Sequence, residues 1–210
     1  MERRMRKIGV SVLAGASCMM ALPAARADLI VNGSFEEYGG SGNSNIGMGI
    51  APWVIGSPGI DIVIPELGEG HYWLPADGEV SLSLNWFNPA SISQALVTEP
   101  GQSYEVSFWM AAEIYGGTQW RTMDVTWNGA LLSSPAFEYT GQGPENMGWT
   151  RFSFLAEGTG SDTLAFLSTT PANFGPALDN VSVTAVPVPG TLALMSVGLV
   201  ALRRRRRVTP

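Results

Sequence analysis

Aromatic side chains outside a predicted core are the residues of this sequence best suited to bind a ligand. Trp109 alternates with Phe108 and Met110 and therefore points to the opposite side of its strand. Sugar rings stack their apolar C–H faces on Trp and Tyr, while neighbouring polar groups orient the hydroxyls. Together with aromatics in or beside long loops, the ligand-binding candidates are Trp53, Tyr72, Trp73 and Trp109. The alternative is that most tryptophans fill the core.

Residue types that support catalysis are scarce. His71 is the single histidine, and no Gly-x-Ser-x-Gly motif, phosphate-binding loop or dinucleotide fingerprint occurs. The single cysteine is Cys18, and residues 28–186 contain no lysine, which disfavours cysteine, Schiff-base and phosphate chemistry. Paired carboxylates leave a glycosidase open, but scattered acids more often form a solvated surface. The sequence therefore predicts a protein that is not an enzyme.

Charge is divided unevenly along the chain. The 210 residues have a net charge of −6, but residues 28–186 contain 17 acids and two basic residues, Arg121 and Arg151, so that segment carries −15. A surface this negative repels nucleic acid phosphates and anionic lipid. The same segment holds every Trp, Phe and Tyr and is too apolar for a disordered acidic tail. We expect one folded domain with no nucleic-acid partner.

Residues 1–27 have the three parts of a secretory signal peptide. Four basic residues come first, residues 8–22 are apolar, and small residues surround a cleavage site after Ala27. Signal peptidase is therefore an expected partner, and the mature chain begins at Asp28 without a cysteine. The alternative is an uncleaved membrane anchor, for which the apolar run is short.

Residues 186–210 have the order of parts found in a sorting tail. Two prolines, Pro187 and Pro189, precede an apolar run over residues 191–202. As a helix this run covers about 18 Å, which is less than the ~30 Å of a hydrocarbon core. The run ends at an arginine cluster that comprises Arg203, Arg204, Arg205, Arg206 and Arg207.

This tail resembles the PEP-CTERM sorting signal, although position 188 is Val where that signal has Glu. The resemblance implies a Gram-negative bacterium and an exosortase-type sorting enzyme as partner. It also implies a transient inner-membrane anchor through the C-terminal helix, followed by a final place at the cell surface, outer membrane or extracellular matrix. The alternative is an ordinary C-terminal membrane helix.

The middle of the chain predicts an all-β domain. Apolar and polar residues alternate in residues 104–110 and 122–127, which is the pattern of half-buried strands. Further runs of this kind lie at residues 80–86, 151–154, 164–167 and 181–186. The dipeptide Asn128-Gly129 is a strong hairpin signal. Eight to nine strands at this spacing predict an antiparallel two-sheet jelly-roll sandwich over residues 28–185.

Two long segments separate the predicted strands. Residues 37–52 are rich in glycine and nearly free of charge, while residues 65–79 combine Tyr72 and Trp73 with four acids. Loops of this length inside a compact domain either carry function or have no fixed structure. We expect ligand contacts in the second loop.

Several short motifs between residues 28 and 186 resemble the choice-of-anchor C family. They are Asp28 to Glu36, Trp53 followed by Ile60-Asp61, the serine-alternating run Val80 to Leu84, Ile92-Ser93-Gln94, Gly101 to Tyr104, and Leu178 to Val183. That family is similar to galactose-binding-like jelly rolls and to carbohydrate-binding modules. The resemblance implies a β-sandwich that contacts extracellular polysaccharide.

The same resemblance implies one structural Ca²⁺ between the first and last strands. Glu36 closes the first predicted strand, and Asp179 has the parity of Val181 and Val183, which turns its carboxylate toward the core if the strand is regular. A buried carboxylate is costly unless it is paired or bound to a metal. Glu36 and Asp179 are therefore the candidate ligands. The alternative is that Asp179 accepts backbone hydrogen bonds.

Three functions are consistent with these patterns. The first is an exported, non-catalytic sandwich that associates with extracellular polysaccharide, and this is the prediction. The second is an acidic structural protein of the surface or matrix without a specific sugar pocket. The third is a glycan-processing hydrolase, which requires two carboxylates that converge in a cleft.

Overall fold

Eleven strands form two antiparallel sheets in the computed structural model, which describes residues 27–39, 49–65 and 72–187. The strands are β1 (Val54–Ile55), β2 (Asp61–Val63), β3 (Ser81–Ser83), β4 (Ser91–Val97), β5 (Ser103–Ala112), β6 (Trp120–Trp127), β7 (Ala130–Ser133), β8 (Ala136–Glu138), β9 (Thr150–Glu157), β10 (Ser161–Ser168) and β11 (Pro176–Ala185). The six-stranded sheet has the order β1-β4-β10-β6-β7, with β8 paired to β6, and the five-stranded sheet has the order β2-β3-β11-β5-β9. This arrangement confirms the predicted all-β, antiparallel two-sheet sandwich.

Several predicted segments lie outside the described residues. They are the signal peptide up to residue 26, most of the glycine-rich loop, His71, and the sorting tail from residue 188, including Pro189, Arg203, Arg204 and Arg205. Pro187 is described and follows β11 directly. In the part of the chain that the structure covers, no helix has the length and apolar character needed to cross a membrane.

Strands β5 and β6 form where the alternation of the sequence is longest. In β5 the side chains of Val106, Phe108 and Met110 are fully buried, and Trp109 between them is partly exposed. In β6 the buried residues again alternate with partly exposed threonine and aspartate. Aromatic and β-branched side chains pack well on such half-buried surfaces. Both predicted strands are confirmed.

The predicted hairpin after β6 is also confirmed. Asn128 and Gly129 have φ angles of 52° and 76°, as a two-residue turn with positive φ at both positions requires. The Asn128 side chain fixes the turn to β10, because its Oδ1 accepts a hydrogen bond from the Thr163 N–H at 2.8 Å and its Nδ2 donates to Asp162 Oδ1 at 2.5 Å.

Aromatic rings fill the space between the two sheets. Phe108 of the five-stranded sheet meets Phe166 of the six-stranded sheet edge to face, with ring centroids 5.0 Å apart. Trp53 packs between Phe166 and Phe35, at 6.3 Å and 5.8 Å. Edge-to-face and tilted contacts of this kind are favourable beyond the area that they bury. These rings form the centre of the core.

The start of the described chain runs beside β11. The Leu29 N–H donates to the Val183 carbonyl at 2.9 Å, and the Val183 N–H donates to Asp28 Oδ1 at 2.8 Å. At the end of β11 the Val186 N–H donates to the Ser103 carbonyl at 2.8 Å. The first and last described segments of the domain are therefore tied to the same sheet.

The predicted strand at residues 80–86 needs correction. Only Ser81–Ser83 forms a strand, and Ser81 and Ser83 are as fully buried as Leu82 between them. Burial on both sides arises because the chain that follows residue 72 covers the outer side of this strand, as the hydrogen bond from Trp73 to Ser81 shows. The strand count is also higher than predicted, because β1, β2, β7 and β8 have four residues or fewer and show little alternation.

Replacing Phe108 by Ala is expected to lower the free energy of unfolding by about 3–5 kcal/mol, because the change leaves a cavity between the sheets. Urea denaturation monitored by tryptophan fluorescence measures the loss. The control is Val97→Ala, at a side chain that is 84% exposed, which should change stability by less than about 0.5 kcal/mol. Equal effects of the two substitutions would contradict a core centred on Phe108.

Candidate functional site

Two of the predicted ligand-binding aromatics, Trp53 and Trp73, lie in the core. Trp53 is 5% exposed, and its Nε1–H donates to the Asn32 carbonyl at 2.9 Å. Trp73 is 1% exposed, and its Nε1–H donates to Ser81 Oγ at 2.9 Å. Each indole N–H is thus satisfied inside the protein, and neither ring presents a face to a ligand in this structure.

Residues 72–80 lie across the outer face of the five-stranded sheet, which is the side away from the six-stranded sheet. Trp73 bonds to β3 through Ser81. The N–H groups of Ala76 and Asp77 bond to Asp179 on β11 at 2.7 Å and 2.9 Å. This segment, which we call the covering loop, explains why polar residues on that face are buried.

Asp179 reaches the outer face because β11 is irregular. Leu178 pairs with Met110 and Asp179 pairs with Trp109, but a bulge follows, with Asn180 at a φ of 45°. One extra residue in a strand reverses the parity beyond it. The regular parity assumed from Val181 therefore does not hold, and the Asp179 side chain shares the face of Trp109 instead of pointing between the sheets.

The carboxylates of Glu36 and Asp179 both hold the covering loop. Glu36 Oε1 accepts the N–H groups of Glu79 and Val80 at 2.8 Å and 3.0 Å. Asp179 accepts two N–H groups of the loop on Oδ2 and its neighbour's N–H on Oδ1. Burial raises the pKa of Asp179 to about 7 even though these three N–H groups favour the charged form.

A metal ion at these carboxylates would have to share oxygens that already accept hydrogen bonds. Within residues 27–39, 49–65 and 72–187, no group of three or more His, Cys, Asp or Glu residues has an arrangement that could hold a metal. The observed geometry is the alternative in which Asp179 accepts backbone hydrogen bonds. Calcium binding by Glu36 and Asp179 stays a prediction of the sequence.

The other two predicted aromatics lie at the surface, Tyr72 at the start of the covering loop and Trp109 on β5. Trp109 is partly exposed on the outer face of β5, where it pairs with Arg151 of β9. Tyr72 is partly exposed, and the Tyr115 hydroxyl both donates to its carbonyl at 2.7 Å and accepts its N–H at 3.2 Å. The structure therefore brings Tyr72 and Trp109 to one side of the sandwich.

A third aromatic, Trp149, joins them. Trp149 is partly exposed, and its Nε1–H donates to the carbonyl of Leu74, a covering-loop residue that is 46% exposed. Trp149 directly precedes β9 and has the parity opposite to Phe152, so the sequence contained a signal for its outward position. We call these three partly exposed residues on the covering-loop side of the sandwich, Tyr72, Trp109 and Trp149, the aromatic shelf.

Charged groups border the aromatic shelf. Arg151 Nη2 lies 3.5 Å from Glu105 Oε1, and both side chains are about half exposed. This is a weak surface ion pair that leaves donors and acceptors available to solvent. An apolar ring surface beside such groups is the combination that orients a sugar, because the rings contact C–H faces and the polar groups bind hydroxyls.

A buried polar cluster lies at one end of the same sheet. Asp61 pairs with Ser83 across β2 and β3, and the Ser83 hydroxyl donates to Glu113 Oε2 at 2.8 Å. Burial raises the pKa of Glu113 to about 7, against the opposing effects of the Ser83 hydroxyl and the Arg121 charge. Burial, and then the Glu113 charge, raise the pKa of Asp61 to about 7.

Arg121 belongs to the same polar cluster, because it bonds to the Glu113 backbone. It is fully buried, and its Nη2 donates to the Glu113 carbonyl at 2.7 Å and to the Gly116 carbonyl. Its Nε and Nη1, like Asn85 Oδ1, have no hydrogen-bond partner among the described residues. Arg121 thus fixes the loop between β5 and β6 to the sandwich, a role that no sequence motif indicated.

The domain and the tail match different protein families. Residues 28–184 match the family described as "Protein of unknown function (DUF642)". Residues 185–207 match the PEP-CTERM protein-sorting motif, which confirms the resemblance of the tail. The resemblance to the choice-of-anchor C family is not confirmed.

A curated relative is Halomucin from Haloquadratum walsbyi, which is 26% identical over 185 residues. The match covers 83% of this chain but 2% of Halomucin, so the chain spans a small part of that relative's length.

Solved structures of carbohydrate-binding modules have a similar fold. TmCBM61, solved in complex with β-1,4-galactotriose, superposes with a TM-score of 0.51 at 16% identity, over 76% of this chain and 99% of that one. A family 35 module from Clostridium thermocellum superposes with a TM-score of 0.44 at 19% identity, over 64% and 92% of the two chains.

Stability should rise as the pH is lowered from about 8 to about 5. Asp61, Glu113 and Asp179 have native pKa values of about 7, and the unfolded chain releases those protons near pH 4. Between about pH 4 and pH 7 the native state therefore binds more protons than the unfolded state. In this range each group adds up to about 1.4 kcal/mol to the free energy of unfolding for each pH unit by which the pH is lowered. This stability is fully present below about pH 4 and is lost as the pH rises through 7. Urea denaturation across the pH range measures it.

Asp61→Asn provides the matched test of this pH dependence. The substitution removes one partly buried ionisable group, so the slope between pH 5 and pH 7 should become shallower and stability at pH 8 should rise. The control is Glu157→Gln at an exposed position, which should keep the slope of the unsubstituted protein. A slope that Asp61→Asn leaves unchanged would show that Asp61 does not hold a proton in the native state.

Proposed function

We propose that this chain, which belongs to the DUF642 family, is an exported surface protein that binds extracellular polysaccharide without catalysis. The observation that carries the proposal is the aromatic shelf. Tyr72, Trp109 and Trp149 are partly exposed on one side of the sandwich, and two of them contact residues of adjoining segments that hold their backbone or ring in place. A shelf fixed in this way loses little conformational entropy when it binds a sugar.

The fold supports this use of the shelf. TmCBM61 shares the sandwich over nearly its whole length and was solved with a β-1,4-linked galactose trisaccharide. A neutral glycan also suits the charge of the domain, because 17 acids against two arginines would repel an anionic polymer. We therefore propose an uncharged polysaccharide as the ligand.

The sorting motif supports the location. A PEP-CTERM motif at residues 185–207 directly follows β11, which ends at Ala185. We propose that the chain is exported, is processed by an exosortase-type enzyme, and presents the sandwich at the cell surface or in the extracellular matrix of a Gram-negative bacterium. The domain would then meet polysaccharide where the motif delivers it.

The polar cluster does not favour catalysis. A hydrolase needs two carboxylates that face a substrate, whereas Glu113 is 6% exposed and bonds to Ser83. Asp61, whose pKa the Glu113 charge raises, lies on β2 at the same end of the sheet. We propose that this pair tunes stability and that the protein is not an enzyme.

Trp109→Ala and Trp149→Ala should each weaken polysaccharide binding by about tenfold, because each removes a ring of the shelf. Affinity electrophoresis in gels that contain β-1,4-galactan or xylan measures the retardation of the full chain. The matched control is Trp120→Ala, a 51% exposed tryptophan on the other sheet. Thermal melting verifies that each variant is folded.

Unchanged retardation of Trp109→Ala and Trp149→Ala would place binding elsewhere on the molecule. If no neutral glycan retards the unsubstituted protein, the proposal of glycan binding fails, and the acidic structural protein becomes the better description. Release of reducing sugars during the same incubation would instead indicate a hydrolase.

A structural calcium ion at Glu36 and Asp179 is a separate proposal. In its favour, both carboxylates meet one loop, and a cation would offset the cost of burying the Asp179 charge. The opposing observation is that Asp179 already accepts three N–H groups. If calcium binds, the melting temperature of chelator-treated protein should rise by several degrees with added Ca²⁺ and less with Mg²⁺. An unchanged melting temperature rejects the site.

A further inference from the structure

The outer face of the six-stranded sheet is composed of small hydroxyl and aliphatic side chains. One row of cross-strand partners runs over five strands through Val54, Ser93, Ala165, Thr126 and Leu131. Paired residues of an antiparallel sheet share a face, so these side chains point away from the core together. Val54 and Leu131 are exposed, and the other three are partly exposed. We call this surface the neutral face.

The neutral face is nearly free of charge in a strongly acidic domain. Its strands contribute two outward acids, Asp124 and Glu138, and no outward base. A neighbouring side chain bonds each of them, because Ser134 Oγ donates to Asp124 at 2.5 Å and Gln119 Nε2 donates to Glu138 at 2.7 Å. Elsewhere the surface carries most of the 17 acids. Two copies of this domain can therefore approach through this face with the least repulsion.

Exposed apolar side chains are concentrated on the same face. Of the nine large hydrophobic side chains that are exposed among the described residues, five belong to it. They are Val54, Val97, Trp120, Leu131 and Leu167, with exposed fractions of 66%, 84%, 51%, 61% and 38%. Grouped exposure of this kind marks an interaction surface, whereas isolated exposed apolar residues need no explanation.

We propose that the neutral face is a self-association surface, on which a second copy of this chain packs sheet to sheet. Such a contact is isologous, because each copy supplies the same face about a two-fold axis. Small Ser, Thr and Ala side chains allow two sheets to approach to about 10 Å, with the aliphatic residues between them.

The size of the face fits a reversible dimer. The six strands of this sheet contain 32 residues in all. At about 4.8 Å spacing and about 3.4 Å rise they give a footprint of about 520 Å² on each copy. Two such faces bury about 1,000 Å² in total, which is at the ~1,000 Å² expected of a specific interface and below the ~1,600 Å² of a standard one. We therefore expect a reversible monomer–dimer equilibrium and not a permanent dimer.

A second copy suits this face better than a glycan does. Trp120 lies at one end of the face, and the rest of it offers no ring on which a sugar could stack. The aromatic shelf lies on the opposite sheet. A dimer formed through the neutral face would leave both shelves pointing outward, so self-association and ligand binding would not compete.

Light scattering of the full chain in a mild detergent, from about 1 µM to about 500 µM, should show a mass that rises from monomer to dimer. Added salt should favour the dimer, because it screens the repulsion between acidic copies. Ala165→Glu, at the centre of the face, should raise the dissociation constant at least tenfold, because it places like charges across the two-fold axis.

Two variants control this experiment. Thr163→Glu introduces the same charge at an exposed position of β10 and should weaken the dimer as Ala165→Glu does. It takes the place of Ala165→Glu if that variant does not fold. Ser153→Glu, at an exposed position of β9 on the other sheet, should dimerise like the unsubstituted chain. A chain that remains monomeric at 500 µM, or dimers that both face variants leave intact, would overturn the proposal. So would loss of glycan retardation in Ala165→Glu, because a glycan would then occupy the face.

Discussion

The position of the covering loop, and with it the outer surface of the five-stranded sheet, depends on hydrogen bonds from the N–H groups of Ala76 and Asp77 to the Asp179 carboxylate. They hold the covering loop against the five-stranded sheet, which buries Trp73 and leaves Tyr72 partly exposed, with its backbone bonded to the Tyr115 hydroxyl. Without this attachment the outer face would be an open half-buried sheet with an exposed row of serines. Attachment through a buried carboxylate carries an electrostatic cost, which appears as the raised pKa of Asp179.

The scarcity of basic residues explains how the domain handles its buried acids. Arg151 forms the one ion pair between described residues, and Arg121 is used to hold a loop. Buried carboxylates are therefore satisfied by N–H and hydroxyl donors. Asp162 has the most such donors. Burial alone would raise its pKa, but hydrogen bonds from Thr98, Thr159 and Asn128 lower it. Asp61 and Glu113 have fewer donors, and their pKa values rise.

Local alternation predicted the parts of the fold that are regular over many residues. It placed Trp109 on the outer side of β5, because an unbroken strand keeps its parity. The parity of β9, extended by one residue, could have placed Trp149 in the same way. It failed for β11, where the bulge shifts the parity. It gave no information on Trp73, because a loop has no parity to follow. The convergence of Asp61 and Glu113 depends on which strands become neighbours, and a local pattern does not encode that choice.

The position of β11 has a mechanical consequence. This strand is the last before the sorting motif, and it lies in the middle of its sheet, between β3 and β5, with the first described residues bonded along it. A pull transmitted from a tethered tail would enter the domain through this interior strand. Such a pull would load hydrogen bonds on both sides of β11, whereas an edge strand is bonded on one side only. A sandwich tethered in this way resists drag from the surrounding medium at the point where it is held.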